Sequence, residues 1–198
     1  MQQVRVITGT GVPMRRSDVD TDQIIPSDWL KRIERTGFGE GLFGEWRESS
    51  DFILNQDRYQ HASILVAGPN FGTGSSREHA VWALQQYGFT AVLSSRFADI
   101  FRNNSTKTGL LTVTVPQSVI EMLWDALDDD ATIEIVVDVE ARRVAVPSLG
   151  IDVEFPLDDF THYRFLNGLD DIGLTLQHDA AIDTFERSRP AYLPTAAR

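Results

Sequence analysis

Cysteine is absent from this sequence. That excludes any disulfide, and any zinc or iron–sulfur centre ligated by cysteines of this chain. Long apolar runs are missing too: nothing approaches the ~18 residues a membrane-spanning helix needs. The start, Met1-Gln-Gln-Val-Arg-Val-Ile7, lacks the basic segment and apolar core of a signal peptide, and reads as the first strand of a cytoplasmic protein. Positive charge is scarce, 18 Lys and Arg against 29 Asp and Glu, for a net charge of −11. Such a balance argues against a nucleic-acid surface as the main function, though not against a small basic pocket. The four histidines, at 61, 79, 162 and 178, show no metal-binding spacing. A metal needed by the reaction would have to come on another chain.

What remains is ordinary soluble material. Its 198 residues, 42% hydrophobic and 24% charged, suit one domain with a sizeable core. Strand-like runs rich in Val, Ile and Leu fall at about 3–8, 62–67, 90–95, 110–115, 132–139, 142–146 and 151–155. Helical spacing falls at about 27–35, 76–87, 97–104, 117–128, 158–166 and 179–187. The alternation of strand and helix between 62 and 115 predicts parallel pairing with right-handed crossovers. Residues 132–155 predict a meander or hairpins. The expected class is α/β with both parallel and antiparallel strands. A mobile loop is expected at about 28–50, and residues 34–51, with Phe38, Leu42, Phe43 and Trp46 among glycines, read either as a surface loop or as a lid. The tail, 188–198, with Pro190 and Pro194, is expected to be flexible.

The most informative stretch is Gly68-Pro-Asn-Phe-Gly-Thr-Gly-Ser-Ser-Arg-Glu-His-Ala80. It links an apolar strand to a helix, and so delivers Ser75, Ser76 and Arg77 to a helix N-terminus. Free N–H groups and the helix dipole there favour an anion. Two readings of the serines stay open. Ser75 and Glu78 fit a capping box. Arg77 fits it badly, because a cation in the first turn opposes the dipole by ~0.3–1 kcal/mol. A guanidinium sharing an anion with the N–H groups explains it better, since arginine matches carboxylate or phosphate bidentately. Gly72 and Gly74 would let a ligand approach the backbone. A dinucleotide loop is a weak runner-up: its third glycine would fall at Arg77, and Leu93-Ser-Ser-Arg96 stands where an acid should hold a ribose.

Asp18-Val-Asp-Thr-Asp22 superficially resembles a calcium loop, but Gln23 and Trp29 occupy its glycine and glutamate positions. The three acids read either as a solvated turn or as carboxylates aimed at a substrate hydroxyl or a partner.

Together these blocks make the chain resemble the small subunits of 3-isopropylmalate dehydratase, within the aconitase superfamily. The matching blocks are Asp20-Thr-Asp-Gln-Ile-Ile-Pro26, Asn70 to Ala80, Phe97-Ala-Asp-Ile-Phe101 with Asn103-Asn104, and Asn167 to His178. The resemblance runs from about residue 4 to 187, in the family's order, and implies a three-layer β/β/α swivelling domain that closes over a large catalytic subunit as a heterodimer or larger assembly. It implies a 4Fe–4S cluster on three cysteines of that large subunit, with none on this chain. The implied reaction interconverts 2- and 3-isopropylmalate, small dicarboxylates, through isopropylmaleate in leucine biosynthesis. Ser75 matches the catalytic base, Asp22 an active-site acid, Arg77 the substrate-carboxylate ligand and Ser76 a flanking substrate contact. Thr21, Asn70, Gly72, Gly74, Glu78 and His79 would support them. The family's substrate-choosing loop corresponds to Trp29–Thr36, where Leu30 or Ile33 could face an isopropyl group and Lys31 or Arg32 a carboxylate. Related hydro-lyases, namely homoaconitase, citraconate and dimethylmalate hydratases, share most of these motifs. A non-catalytic anion-binding module is the alternative of another class.

Overall fold

The computed structural model describes residues 1–190 and Tyr192. Most of the tail expected at 188–198 lies outside the described residues. Seven strands form one sheet in the order β4-β3-β2-β1-β5-β6-β7. They are β1 (Val6–Met14), β2 (Ile64–Ala67), β3 (Ala91–Ser94), β4 (Leu111–Thr114), β5 (Glu134–Asp138), β6 (Arg143–Val146) and β7 (Ile151–Glu154). β1 divides its length between two half-sheets. Gly11–Met14 pair parallel with β2, while Val6–Thr10 pair antiparallel with β5. β2, β3 and β4 are parallel, and β5, β6 and β7 run as antiparallel hairpins. The expected mixed α/β class holds.

β1 runs six residues beyond the expected 3–8, through a Gly-Thr-Gly-Val-Pro-Met stretch whose composition suggests a loop. Packing explains it. A Cβ on Gly11 would come within 2.8 Å of Leu127 and 2.9 Å of Ile135, so the strand crosses the core where no side chain fits.

The central strands are buried on both faces, which is why they read as continuous apolar runs. Ile64 and Val66 of β2 face one core, Leu65 and Ala67 the other. The helices are α1 (Thr21–Ile24), α2 (Gly44–Arg47), α3 (Glu78–Tyr87), α4 (Asp99–Thr108), α5 (Gln117–Asp129), α6 (Asp159–Asn167), α7 (Asp171–Leu176) and α8 (Asp179–Ser188). α5 covers one face with Ile120, Leu123 and Leu127, and its Trp124 donates to the Val66 carbonyl at 2.8 Å. α3 covers the other face with Ala80, Val81, Ala83 and Leu84. Each such fully buried Val, Leu or Ile contributes roughly 1.5–3 kcal/mol.

Phe38, Leu42 and Phe43 join the α3-side core with no exposure. The surface-loop reading therefore fails for Phe38, Leu42 and Phe43, and the exposed runs are residues 31–37 and 48–51. The helix expected over 27–35 is only a 3-10 turn, Ser27–Lys31, without a buried residue. An apolar face is what sustains a short helix, and Ile33 stays 95% exposed. α7 was not legible in the periodicity. It begins where the Asp170 carboxylate accepts from the Gly173 N–H at 2.7 Å. Neither α7 nor α8 buries a residue, and Ile172, Leu176 and Phe185 are exposed.

Candidate active site

Two segments leave the C-terminal ends of the parallel strands β1 and β2 and zip together. The N–H groups of Gly72 and Thr73 donate to the Val19 carbonyl at 2.8 and 3.2 Å. Thr21 N–H donates to the Thr73 carbonyl at 2.9 Å, and Asp20 and Thr73 form an isolated parallel bridge. The position beyond the carboxyl ends of parallel strands is where open α/β sheets bind ligands.

The zipper sorts the three acids. Asp18 accepts from Asn70 Nδ2 at 2.6 Å, so Asn70 braces the turn, and both residues adopt left-handed φ. The Asp20 carboxylate accepts from the Gln23 N–H at 2.7 Å, and the Gln23 side chain accepts from the Asp20 N–H at 3.0 Å. This reciprocal capping box starts α1. The Asp20-Thr-Asp-Gln23 spacing could have revealed it. Asp22 is left on the outer side, 57% exposed, and forms an ion pair with Arg77. The acids are neither a free solvated turn nor one joint cluster.

The capping-box reading of Ser75 and Glu78 is overturned. α3 begins at Glu78, its N-cap is Arg77 in an extended conformation, and no side chain caps it. Ser75 and Ser76 stand two and one residues before that cap, both exposed. The misplacement is physical: the zipper to residues 18–21 engages the chain up to Thr73, Gly74 and Ser75 bend, and the helix starts only at Glu78. Thr21, 2% exposed, donates its hydroxyl to the Ser75 carbonyl at 3.0 Å and fixes that serine's backbone. Glu78 occupies the first turn and is exposed, while His79 is half-buried.

Arg77 is the most buried charged side chain of this corner, 18% exposed. Its Nη1 meets Asp22 as an ion pair but makes no hydrogen bond, although the atom is buried. The guanidinium thus retains unused donor capacity beside two exposed hydroxyls. In that setting a carboxylate has a fork to bind and free helix N–H groups nearby.

The glycines divide. Gly72 is buried with φ of 80°, and a Cβ there would lie 2.2 Å from the Phe101 ring. Its role is close packing, which corrects the expectation of ligand approach. Gly74, with φ of 92°, is exposed.

His79 belongs to an aromatic bracket that the sequence did not reveal. Its ring lies 5.2 Å from Phe38 and 4.8 Å from Trp82. The bracket carries the base of the 31–37 segment. Within that segment Lys31 pairs with Asp28 at 2.8 Å, and the Arg32 guanidinium lies 4.0 Å over Trp29. Leu30 is half-buried, and Ile33 projects into solvent. A cleft of about 460 Å³ opens behind the same strand ends, lined by Met14, Arg16, Trp46 and Phe52. It includes none of the candidate residues. Ser75, Ser76 and Asp22 open onto solvent. Among the described residues no three His, Cys, Asp or Glu converge to hold a metal ion.

Comparison with known proteins adds a second line. A family model described as the aconitase C-terminal domain matches residues 1–118. One described as the C-terminal domain of the 3-isopropylmalate dehydratase small subunit matches residues 171–196. The 3-isopropylmalate dehydratase small subunit of Frankia alni is 60% identical over 196 residues, 99% of this chain and 100% of its own length. That of Rubrobacter xylanophilus is 57% identical over 194 residues, covering 98% of each chain. The solved 3-isopropylmalate dehydratase structure from Methanocaldococcus jannaschii superposes with a TM-score of 0.65 at 22% identity, covering 91% of this chain and 99% of that one. That likeness bears on the fold alone.

Proposed function

This chain belongs to the family of 3-isopropylmalate dehydratase small subunits, and from that premise we propose how it takes part in a two-subunit hydro-lyase of leucine biosynthesis. The reaction interconverts 2-isopropylmalate and 3-isopropylmalate through isopropylmaleate. The observation that carries this reading is an identity of 60% sustained over 99% of the chain.

A 4Fe–4S cluster fits no residues here. The chain has no cysteine, and its described residues converge on no metal site. The cluster is assigned to the large subunit, while this chain's own residues move the proton and hold the substrate.

Ser75 is the base that removes the proton beside a substrate carboxylate. A serine alkoxide is unfavourable in water, but uncapped helix N–H groups, the Arg77 charge and exclusion of water all favour it. Arg77 holds and orients the carboxylate, and Ser76 flanks it. Asp22 keeps the guanidinium in place before substrate arrives, and the incoming carboxylate takes the remaining donors. Orientation of this kind lowers the barrier because proton and hydroxyl leave from one geometry. The exposed serines need a cover, and the large subunit supplies it. The exposed Ile172, Leu176 and Phe185 also suit a chain that works in an assembly. The enzyme is assigned to the cytoplasm; among the described residues no helix is long and apolar enough to cross a membrane.

The test is co-expression with the large subunit under anaerobic, iron-replete conditions, followed by an isopropylmaleate absorbance assay. The complex is expected to turn over and this chain alone to be inactive. A complex that forms, carries its cluster and converts none of these substrates would favour a non-catalytic anion-binding module.

A further inference from the structure

The 31–37 segment is exposed throughout, yet one side chain on α3 grips both sides of its C-terminal turn. Gln86, in the last turn of α3, accepts from the Phe38 N–H at 2.8 Å through Oε1. Through Nε2 it donates to the Arg35 carbonyl, also at 2.8 Å. Between these points lies Gly37, with φ of 84°. The base of the segment is seated on the same residue: a Cβ on Gly39 would lie 2.7 Å from the Gln86 carbonyl carbon and oxygen. On the other side, Phe38 packs between His79 and Trp82. The segment begins at Lys31, nine residues beyond Asp22, and its C-terminal end rests on the helix that Arg77 caps.

We infer that Gln86 is a positioning residue for substrate recognition: its amide holds the 31–37 segment in the pose that meets the substrate. This rests on the expectation, carried by the family resemblance, that the overlapping Trp29–Thr36 loop chooses the substrate. An amide suits the task because it is donor and acceptor at once, and matches one free carbonyl and one free N–H across a tight turn. A hydrocarbon of the same size satisfies neither. Gln86 is itself exposed, so its loss leaves no buried cavity.

The experiment compares wild type, Gln86→Leu and Gln86→Glu. Glutamate keeps the acceptor for Phe38 but loses the donor for Arg35. On the free chain, hydrogen exchange at the Phe38 amide and tryptic cleavage after Arg32 and Arg35 report the clamp. In the reconstituted complex, KM and kcat for isopropylmalate report its use. Gln86→Leu is expected to raise exchange and cleavage by roughly 5- to 10-fold, the worth of one or two exposed hydrogen bonds. It is expected to raise KM by a similar factor, with kcat within about twofold. Gln86→Glu is expected to keep Phe38 protected and to fall between the two in cleavage and KM. Unchanged exchange and cleavage in Gln86→Leu would overturn the clamp itself. Loosened exchange with unchanged KM would overturn the segment's role in choosing substrate. A fall in kcat at constant KM would show a structural role only.

Discussion

Replacing Gly72 by alanine puts two costs on one methyl group. The backbone there has φ of 80°, where an L-residue loses about 1–2 kcal/mol. The methyl carbon would also sit 2.2 Å from Cγ and 2.7 Å from Cδ2 of Phe101. Phe101 is 2% exposed and locked against Phe71 and Phe97, so it has nowhere to turn. Overpacking of that kind costs about 1–3 kcal/mol. Together the loss is about 2–5 kcal/mol, a large share of an ordinary domain's ~5–15 kcal/mol. Gly74→Ala is the matched control. Its φ of 92° carries the same conformational cost, but the nearest atom, Thr21 Oγ1, is 3.3 Å away, so only about 1–2 kcal/mol is expected. Urea denaturation of both variants measures the difference. Equal losses would show that the Phe101 contact does not set the position of the turn before the serines.

Three further outcomes follow from the same geometry. Arg77→Lys is expected to lower kcat/KM by roughly tenfold or more, because a point charge replaces a planar fork that must serve Asp22 and a carboxylate at once; unchanged steady-state kinetics would refute fork recognition. Asp158 caps α6, and the Thr161 N–H at 2.9 Å holds its carboxyl below the usual 3.8. Its stabilisation is therefore complete above that usual value and lost as pH falls through the lowered one, so Asp158→Ala is expected to cost about 0.5–2 kcal/mol at neutral pH, with the gap closing in acid. A gap that stays constant in melting curves down to acid pH would contradict the cap. Exchanging Trp29–Thr36 for the loop of a homoaconitase-like relative is expected to change the ratio of kcat/KM between isopropyl and carboxymethyl substrates, since an apolar wall and a cation discriminate against each other's ligand; an unchanged ratio would deny the loop that role.

The strand–helix alternation over 62–115 was legible because parallel strands buried on both faces leave uninterrupted runs of Val, Ile and Leu. The three hairpin strands were legible from their turns. The Gly-Ser-Ser-Arg corner was legible as the approach to a helix N-terminus, while its cap was not. Capping propensity favours Ser75, but Asp20 pairs with Thr73, Ser75 lies in a bend, and the helix starts at Glu78. A contact between residues 53 positions apart leaves no periodic trace. The same holds for Phe38, Leu42 and Phe43. Set among glycines they read as a loop, yet Gly39 and Gly41 are there because Gln86 and Trp29 press against them. Gln86 itself looks like any solvent-facing helix residue until its two backbone partners are seen.

The most direct test of the site is Ser75→Ala in the reconstituted complex, with kcat and thermal stability measured on the same preparation. Ser75 caps nothing, so its loss is expected to change stability by no more than about 0.5 kcal/mol. Removing the base is expected to lower kcat by roughly 100-fold or more. A variant complex that assembles, melts like wild type and keeps near wild-type kcat would contradict the assignment of Ser75 as the base.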